Sequence, residues 1–246
     1  MSREVIFGLH AVEKFIKQSP QSVYSIRFMK GRLNNRQQAL FDQAKNLGLA
    51  PQFVAKSEFK AFDEMNHQGV LAEVAKQADL TENDLLDLVE NTPNPLVIFL
   101  DEVQDPHNLG AILRTADAVG AAAVVIPKHN SVGMNATVRK VASGAADNVK
   151  LIVVSNLVRT LKQLQSSGMW MIGLAGETDL TVYDHDLTGS IGIVMGAEGS
   201  GLRRLTKEAC DHLAAIPMVG VVESLNVSVA TGVAVYEAYR QRHSRK

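Results

Sequence analysis

Two apolar segments, each running directly into a loop of small residues, constrain the fold more than any other feature of the chain. The first reads Ile191-Gly-Ile-Val-Met-Gly-Ala-Glu-Gly-Ser-Gly-Leu202, and the second begins Ile216-Pro-Met-Val-Gly-Val-Val222. An apolar, β-branched run suits a strand that is buried on both faces. Closely spaced glycines let the backbone turn sharply and offer bare N–H groups to a ligand. Two such strand ends in one α/β chain predict a nucleotide-type pocket.

These loops do not match the common nucleotide-binding sequences. The chain contains no G-x-x-x-x-G-K-[ST], which argues against a P-loop NTPase. Gly196-Ala-Glu-Gly-Ser-Gly201 is not G-x-G-x-x-G, and it lies far from the first strand, where a dinucleotide-binding fold carries that sequence. Each glycine alone is consistent with a tight turn. An acid flanked by glycines directly after a buried strand, Glu198, favours a binding site.

Strand and helix patterns alternate from residue 96 onward, and this predicts an α/β domain with a mostly parallel, covered sheet. The predicted strands are 96–100, 123–126, 151–154, 169–174, 191–195 and 212–216, and the predicted helices are 109–119, 135–143, 156–167, 202–209 and 226–242. Residues 1–76 predict a smaller α/β unit, with one helix that begins after Gly8 and a second helix over residues 34–47.

Charge divides the chain into three parts. Residues 1–76 hold 11 Lys and Arg against 7 Asp and Glu, a surplus of 4 positive charges. Residues 77–95 hold 5 acids, no base and two prolines, which predicts a partly helical linker. Residues 96–246 hold 14 of each sign and form the larger domain. A basic module in an otherwise balanced chain suggests a nucleic-acid partner.

The basic turn Lys30-Gly-Arg-Leu-Asn-Asn-Arg36 and the later turn Asn66-His-Gln-Gly69 are the candidate RNA contacts of the first domain. Arg, Lys and Asn on loops suit phosphates and unpaired bases. We therefore predict that Lys30, Arg32 and Arg36 bind RNA.

The remaining composition limits where the chain works. No apolar run approaches a membrane span, and charges interrupt the first 20 residues, so we expect neither a membrane partner nor a signal peptide. The single cysteine, Cys210, forbids an internal disulfide and fits a cytoplasmic location. Seven scattered histidines show no metal-ligand spacing, so we expect no metal site.

Asn108-Leu-Gly-Ala-Ile-Leu-Arg114 is a further candidate site segment. We predict that Asn108 caps the helix that follows, because Asn accepts from the free N–H groups of a first turn. Arg114 then lies under two turns along the same helix. Gly110 is a poor helix former and indicates a close approach to another group.

Three motifs together resemble those of the SpoU branch of the SPOUT RNA methyltransferases. They are Asn-x-Gly-x-x-x-Arg-x-Ala at 108–116, Met-Gly-Ala-Glu-Gly-Ser-Gly-Leu at 195–202, and Ile-Pro-Met at 216–218 with Glu-Ser-Leu-Asn-Val-Ser-Val-Ala at 223–230. The likeness covers residues 96–242 and is strongest to members that act on 23S ribosomal RNA. Residues 1–76 resemble the L30e-like substrate-binding domain that some members carry.

The resemblance implies an enzyme that methylates the ribose 2′-hydroxyl of a guanosine in 23S ribosomal RNA, with S-adenosylmethionine as methyl donor. It also implies a deep trefoil knot and a homodimer formed through the knot and the last helix. Arg114 is implied to lie nearest the reacting hydroxyl and to contact the RNA. The other implied catalytic residues are Asn108, Glu198, Ser224 and Asn226, and the implied cofactor-binding residues are Leu174, Gly176, Gly196, Gly201, Ile216 and Leu225.

Three alternatives stay open at this point. A transfer-RNA guanosine is the nearest alternative substrate. A ribosome-assembly protein that binds RNA without catalysis is a second, although the intact Asn108, Arg114, Glu198 and Asn226 argue against it. A nucleotide-dependent oxidoreductase is the third, and it lacks the dinucleotide fingerprint.

Overall fold

The computed structural model describes residues 3–63, 65–75, 80–222 and 224–243. The chain divides into two compact units, Met1–Ala78 and Asp79–Lys246. Residue Glu223 of the third motif and residues 77–79 of the predicted linker lie outside the described residues. Within the described part of the chain, no helix is long and apolar enough to span a membrane.

The first unit is a four-stranded sheet with two helices packed on one face. The strand order is β1-β4-β2-β3, and only β2 and β3 pair in parallel. Its elements are β1 (Arg3–Phe7), α1 (Leu9–Gln18), β2 (Val23–Met29), α2 (Asn35–Asn46), β3 (Gln52–Val54) and β4 (Val70–Ala75), with 3-10 turns at Pro20–Ser22 and Lys56–Phe62. The two predicted helices bury Val12 and Ile16 of α1 and Leu40 and Ala44 of α2. Strand β1 was not predicted.

The second unit is a six-stranded sheet in which every pairing is parallel, in the order β10-β8-β9-β5-β6-β7. The predicted α/β class is confirmed. Its strands are β5 (Leu96–Leu100), β6 (Ala123–Pro127), β7 (Lys150–Val154), β8 (Trp170–Leu174), β9 (Ile191–Met195) and β10 (His212–Ala214). Its helices are α3 (Glu82–Asn91), α4 (Pro106–Val119), α5 (Ala136–Ala142), α6 (Leu157–Ser166), α7 (Arg204–Glu208) and α8 (Val227–His243), with 3-10 turns at Ala145–Asp147 and Val182–Asp184.

Helices cover both faces of this sheet, which explains why the central strands β5, β6 and β9 are apolar and buried at every position. In β5, Leu96, Ile98 and Leu100 pack into the core that contains residues of α4, α5 and α8. Val97 and Phe99 pack into the opposite core, with residues of α3 and α6. Since successive side chains of a strand point to opposite faces, a strand between two helical layers needs apolar residues throughout.

Helix α3 corrects the predicted linker. Leu85 and Val89 are buried in the core of the second unit, and Leu80 pairs with Ile152 of β7. Thr160 and Arg159 of α6 donate to the two oxygens of Glu82, at 2.6 and 2.8 Å. The described part of the segment, residues 80–95, is therefore a packed element of the second unit and not a tether.

Candidate active site

A cavity of about 470 Å³ opens at the carboxyl ends of β8, β9 and β10. In open parallel α/β sheets this is the edge where ligands bind, because the loops that follow the strands converge there. The wall is formed by the loops after these strands and by the start of α8. It includes all six predicted cofactor-binding residues: Leu174, Gly176, Gly196, Gly201, Ile216 and Leu225.

The glycine loop after β9 is closed by its own backbone. Ala197 and Gly201 exchange two backbone hydrogen bonds, of 3.1 and 3.0 Å. Gly199 and Gly201 adopt φ values of +84° and +67°, which a side chain disfavours. A Cβ on Gly196 would lie 2.1 Å from the carbonyl carbon of Gly201. Gly196 is thus required by the fold of the loop itself, and the cavity wall is preformed.

A buried carboxylate that no sequence pattern indicated anchors this loop. Asp101, fully buried at the end of β5, accepts from the backbone N–H of Arg203 at 3.0 Å and from its Nε at 2.8 Å. The hydrogen bond to Asp101 raises the pKa of Arg203 above its ordinary value. Arg203 also contacts Glu102 at 3.1 Å. The residue that follows the glycine loop is thereby tied to the centre of the sheet.

Three predicted catalytic residues meet beside the cavity. Asn108 Nδ2 donates to Glu198 Oε2 at 3.3 Å. Asn226 Nδ2 lies 2.9 Å from Asn108 Oδ1 and 3.4 Å from Glu198 Oε1. Asn226 Oδ1 accepts from the backbone N–H of Ser228 at 2.9 Å, so the same side chain caps α8. Two carboxamides, one within α4 and one directly before α8, therefore hold the Glu198 carboxylate. Glu198 and Ser224 also line the cavity.

The predicted capping role of Asn108 is wrong. The N-cap of α4 is Asp105, which accepts from the backbone N–H of His107 at 2.8 Å, and Pro106 occupies the first helical position. Asn108 lies one turn further on, only 6% exposed, and its side chain is committed to the cluster. Gly110 serves packing, because a Cβ there would meet Val141 of α5 at 2.6 Å.

Arg114 does not reach this cluster. Its side chain is exposed, and it forms no hydrogen bond or ion pair with any residue that the structure describes. A guanidinium that is not neutralised within its own unit is available to an external anion.

The rim of the cavity carries one ion pair. Lys207 Nζ lies 2.8 Å from Glu177 Oε2, and both residues line the opening. The hydrogen bond from Lys207 holds the pKa of Glu177 below its ordinary value.

Burial raises the pKa of the Cys210 thiol to about 12, so this thiol is neutral near pH 7.

The predicted RNA contacts of the first unit lie on its surface. Lys30, Arg32 and Arg36 are exposed, and their side chains form no bond to a described residue. Asn34 caps α2 in this turn, in a reciprocal pair with Gln37. Gln37 Nε2 also donates to the backbone oxygen of Gln68 at 2.8 Å. A hydrogen bond thus joins the two turns that are predicted to contact RNA.

The second unit is thus a parallel α/β domain with a ligand cavity at the carboxyl edge of its sheet. Beside this cavity, the amides of Asn108 and Asn226 hold the carboxylate of Glu198. Residues 95–236 match the SpoU rRNA Methylase family, and residues 5–80 match the family described as RNA 2'-O ribose methyltransferase substrate binding. The chain belongs to the SpoU rRNA methylase family. The resemblance inferred from the three motifs is confirmed.

Relatives extend over the whole chain. It is 48% identical to the 23S rRNA (guanosine-2'-O-)-methyltransferase RlmB of Shewanella oneidensis, over 98% of this chain and 99% of that one. It is 50% identical to the protein of the same name from Haemophilus influenzae, over 97% and 98%.

Solved structures show the same fold. The SpoU methyltransferase AviRb from Streptomyces viridochromogenes, in complex with the cofactor AdoMet, superposes with a TM-score of 0.80 at 22% identity, over 98% of this chain and 91% of that chain. The A. aeolicus TrmH/SpoU tRNA modifying enzyme superposes with a TM-score of 0.58 at 30% identity, over 67% and 83%.

Proposed function

We propose that this protein transfers a methyl group from S-adenosylmethionine to the ribose 2′-hydroxyl of a guanosine in 23S ribosomal RNA. The observation that carries the proposal is that one residue, Glu198, belongs both to the preformed cavity and to the cluster with Asn108 and Asn226. The names of relatives 48–50% identical over nearly the whole chain support this reaction and substrate.

The residues of the cavity fit the donor. Its volume of about 470 Å³ falls within the range of small-molecule sites. Leu174, Ile216 and Leu225 offer apolar surface for an adenine ring, and the glycine loop offers backbone N–H groups for polar atoms. When bound, the donor supplies an electrophilic methyl group on a sulfonium.

The chain's own residues align the hydroxyl and receive its proton. Of the two acids that line the cavity among the described residues, Glu177 is paired with the ammonium of Lys207, whereas Glu198 accepts from the neutral amides of Asn108 and Asn226. We assign Glu198 as the acceptor of the hydrogen bond from the 2′-hydroxyl, with Ser224 beside it. Arg114 binds a phosphate of the target nucleotide, because arginine stays protonated and forms paired bonds with phosphate.

Transfer RNA is the second candidate substrate, and the likeness to a tRNA modifying enzyme supports it. That likeness spans 67% of this chain. Residues 5–80, by contrast, match a substrate-binding family, and the relatives that share the full length act on 23S rRNA by name. Ribosomal RNA is therefore the favoured substrate.

A homodimer is part of the proposal. On α8, Val229 and Tyr236 are each 52% exposed, and the preceding loop exposes Met218, Val219 and Val221. Apolar surface of this extent on an otherwise packed helix favours a protein interface.

The trefoil knot that the resemblance implies is also part of the proposal. After the edge strand β10 the chain returns to α4, where Asn226 donates to Asn108, and this return supports the knot. A cytoplasmic location fits the proposed substrate.

The test measures transfer of labelled methyl groups to purified 23S rRNA and to tRNA, with mapping of the 2′-O-methyl position. We expect label in 23S rRNA at a guanosine ribose. Arg114→Ala should reduce turnover by at least about 100-fold, in the range for loss of a positioned charged group, and should leave donor affinity unchanged. Lys150→Ala, an exposed cation at the opposite edge of the sheet, is the control. Label on a base, or in tRNA alone, would contradict the proposal.

A further inference from the structure

A second cavity in the second unit takes no part in the proposed transfer. It measures about 690 Å³ and opens at the carboxyl ends of β6 and β7. Its wall includes four permanent cations and a histidine, and among the described residues that line it none is acidic. These basic residues are His129, Arg159, Lys162, Arg203 and Arg204. Since residues 96–246 carry equal numbers of acids and bases, this composition is a local concentration of positive charge.

The cations of this groove divide into anchored and available ones. Arg159 is bound to Glu82, and Arg203 is bound to Asp101, so both are fixed in the wall. Lys162 is exposed, and its ammonium forms no hydrogen bond or ion pair with any residue that the structure describes. The side chain of Arg204 is 76% exposed, and its one ion pair among the described residues is with Glu208, itself 57% exposed. A surface pair of this kind contributes little to stability.

An apolar side chain lies next to the available cations. Leu205, between Arg204 and Thr206, is 56% exposed, and Val158 is partly exposed across the groove. Positive charge beside a small apolar surface suits a nucleotide, whose phosphate needs cations and whose base needs a face to pack on.

The groove and the first cavity share one segment of chain. Residues Gly196 to Leu202 line the first cavity, and Arg203 to Thr206 line the second. Both open at the carboxyl edge of the same parallel sheet. An RNA strand whose target ribose lies beside Glu198, at the first cavity, therefore lies along the same edge on which the groove opens.

We propose that this groove binds an unpaired nucleotide of the RNA substrate that flanks the target guanosine. Lys162 and Arg204 contact its phosphates, and its base packs against Leu205. The inference rests on the proposed function, because it takes RNA to be the substrate.

The test compares Lys162→Glu with Lys150→Glu, which reverses the same charge at the other end of β7. Affinity of the full-length protein for a 23S rRNA fragment is measured over a series of salt concentrations. Lys162→Glu should weaken binding about 10-fold at low salt and reduce the salt slope by about 0.7, the value for one phosphate contact on a single strand. Lys150→Glu should change neither, and both variants should bind S-adenosylmethionine like the wild type.

A second variant separates the base from the phosphate. Leu205→Ser should weaken RNA binding and leave the salt slope unchanged, because it removes apolar contact and no charge. Equal RNA affinity and slope for Lys162→Glu and Lys150→Glu would overturn the inference while leaving methylation by the wild type intact. Loss of adenosine monophosphate binding in Lys162→Glu with unchanged RNA affinity would assign the groove to a free nucleotide. A wild type that neither binds nor methylates rRNA would remove the proposed function itself.

Discussion

At the scale of single residues, a buried charge controls the position of the loop that lines the donor cavity. Asp101 is fully buried and accepts hydrogen bonds from both the backbone and the guanidinium of Arg203, 102 residues further along the chain. Burial of a carboxylate is tolerated only when its oxygens are satisfied. Arg203 satisfies them, and in doing so it fixes the end of the glycine loop.

Asp101→Ala should therefore reduce affinity for S-adenosylmethionine more than Glu102→Ala does. Both substitutions remove a carboxylate partner of Arg203, but only Asp101 holds its backbone N–H. We also expect Asp101→Ala to lower the free energy of unfolding by about 1–3 kcal/mol, the cost of an orphaned buried donor. Calorimetric titration and urea unfolding of the two variants decide this, and equal affinities would contradict it.

Gly196→Ala should abolish donor binding. Its Cβ would meet the backbone of Gly201 and Leu202 at 2.1–2.3 Å, and backbone atoms cannot rotate away as a side chain can. The loop between Ala197 and Gly201 must then open, which destroys the cavity wall. Gly133→Ala is the control, because a Cβ there has no neighbour within 4 Å. Calorimetry should find wild-type donor affinity in the control, and wild-type affinity in Gly196→Ala would show that the loop tolerates a Cβ.

The sequence predicted residues that line the cavity, but it did not predict the hydrogen bonds that hold the cavity wall in place. A glycine loop directly after an apolar strand is a signal within a short stretch of sequence, and it indicates the edge of the sheet where a ligand binds. The six predicted cofactor-binding residues all line one cavity at that edge. Asn108 was misassigned because Asn before an apolar run is also a good cap, whereas Asp105 followed by Pro106 takes that role. Asp101 could not be recognised, since its partner Arg203 approaches only in the folded sheet.

At the scale of elements, α3 shows how composition can mislead. Its acids and the prolines after it predicted a linker, but the helix needs only Leu85 and Val89, four residues apart, to join a core. Strand β1 escaped prediction for a related reason: it pairs only with β4 and has no fully buried residue, so it lacks a clear period-two signal.

The carboxyl of Glu82 in α3 makes the stability of the fold depend on pH. Burial acts to raise the pKa of Glu82, but hydrogen bonds from Thr160 and Arg159 hold it below its ordinary value. A carboxyl with a depressed pKa stabilises the fold above its unfolded pKa, and this contribution is lost as pH falls through the folded value. Glu82→Gln should therefore destabilise the protein near pH 7 and have less effect in acid, as urea unfolding at both pH values measures.

Leu85→Ala should destabilise the second unit by about 2–5 kcal/mol, the range for a large side chain removed from a core. Leu86→Ala, on the partly exposed side of the same helix, should cost less. Chemical unfolding followed through Trp170, which lies in the second unit, reports the difference. Equal small losses for both variants would mean that α3 is a dispensable tether after all.

At the scale of the whole molecule, charge and chemistry are divided between the two units. The surplus of 4 positive charges lies in residues 1–76, while the cavity and the polar cluster lie in the second unit. The side chains of Lys30, Arg32 and Arg36 are exposed and form no hydrogen bond or ion pair with any residue that the structure describes. This division favours RNA capture by the first unit and methyl transfer by the second.

Deleting residues 1–79 should accordingly separate the two activities. The cut falls before Leu80, whose pairing with Ile152 and whose following helix α3 belong to the second unit, so residues 80–246 keep their own core. This fragment should fold and bind S-adenosylmethionine with full-length affinity. It should lose most affinity for 23S rRNA at low salt, and the loss should shrink as salt rises, because phosphate contacts gain less from counterion release at high salt.

A full-length variant with Lys30→Gln, Arg32→Gln and Arg36→Gln tests whether the basic turn accounts for that loss. Three phosphate contacts on a single strand correspond to a salt slope of about 2. The variant should therefore lose much of the RNA affinity that the deletion loses, while retaining the fold of the first unit. Gel-shift titrations of the three proteins at two salt concentrations measure both quantities. If the deleted and full-length chains bind RNA equally, the second unit alone selects the substrate, and the groove beside Lys162 becomes its principal RNA contact.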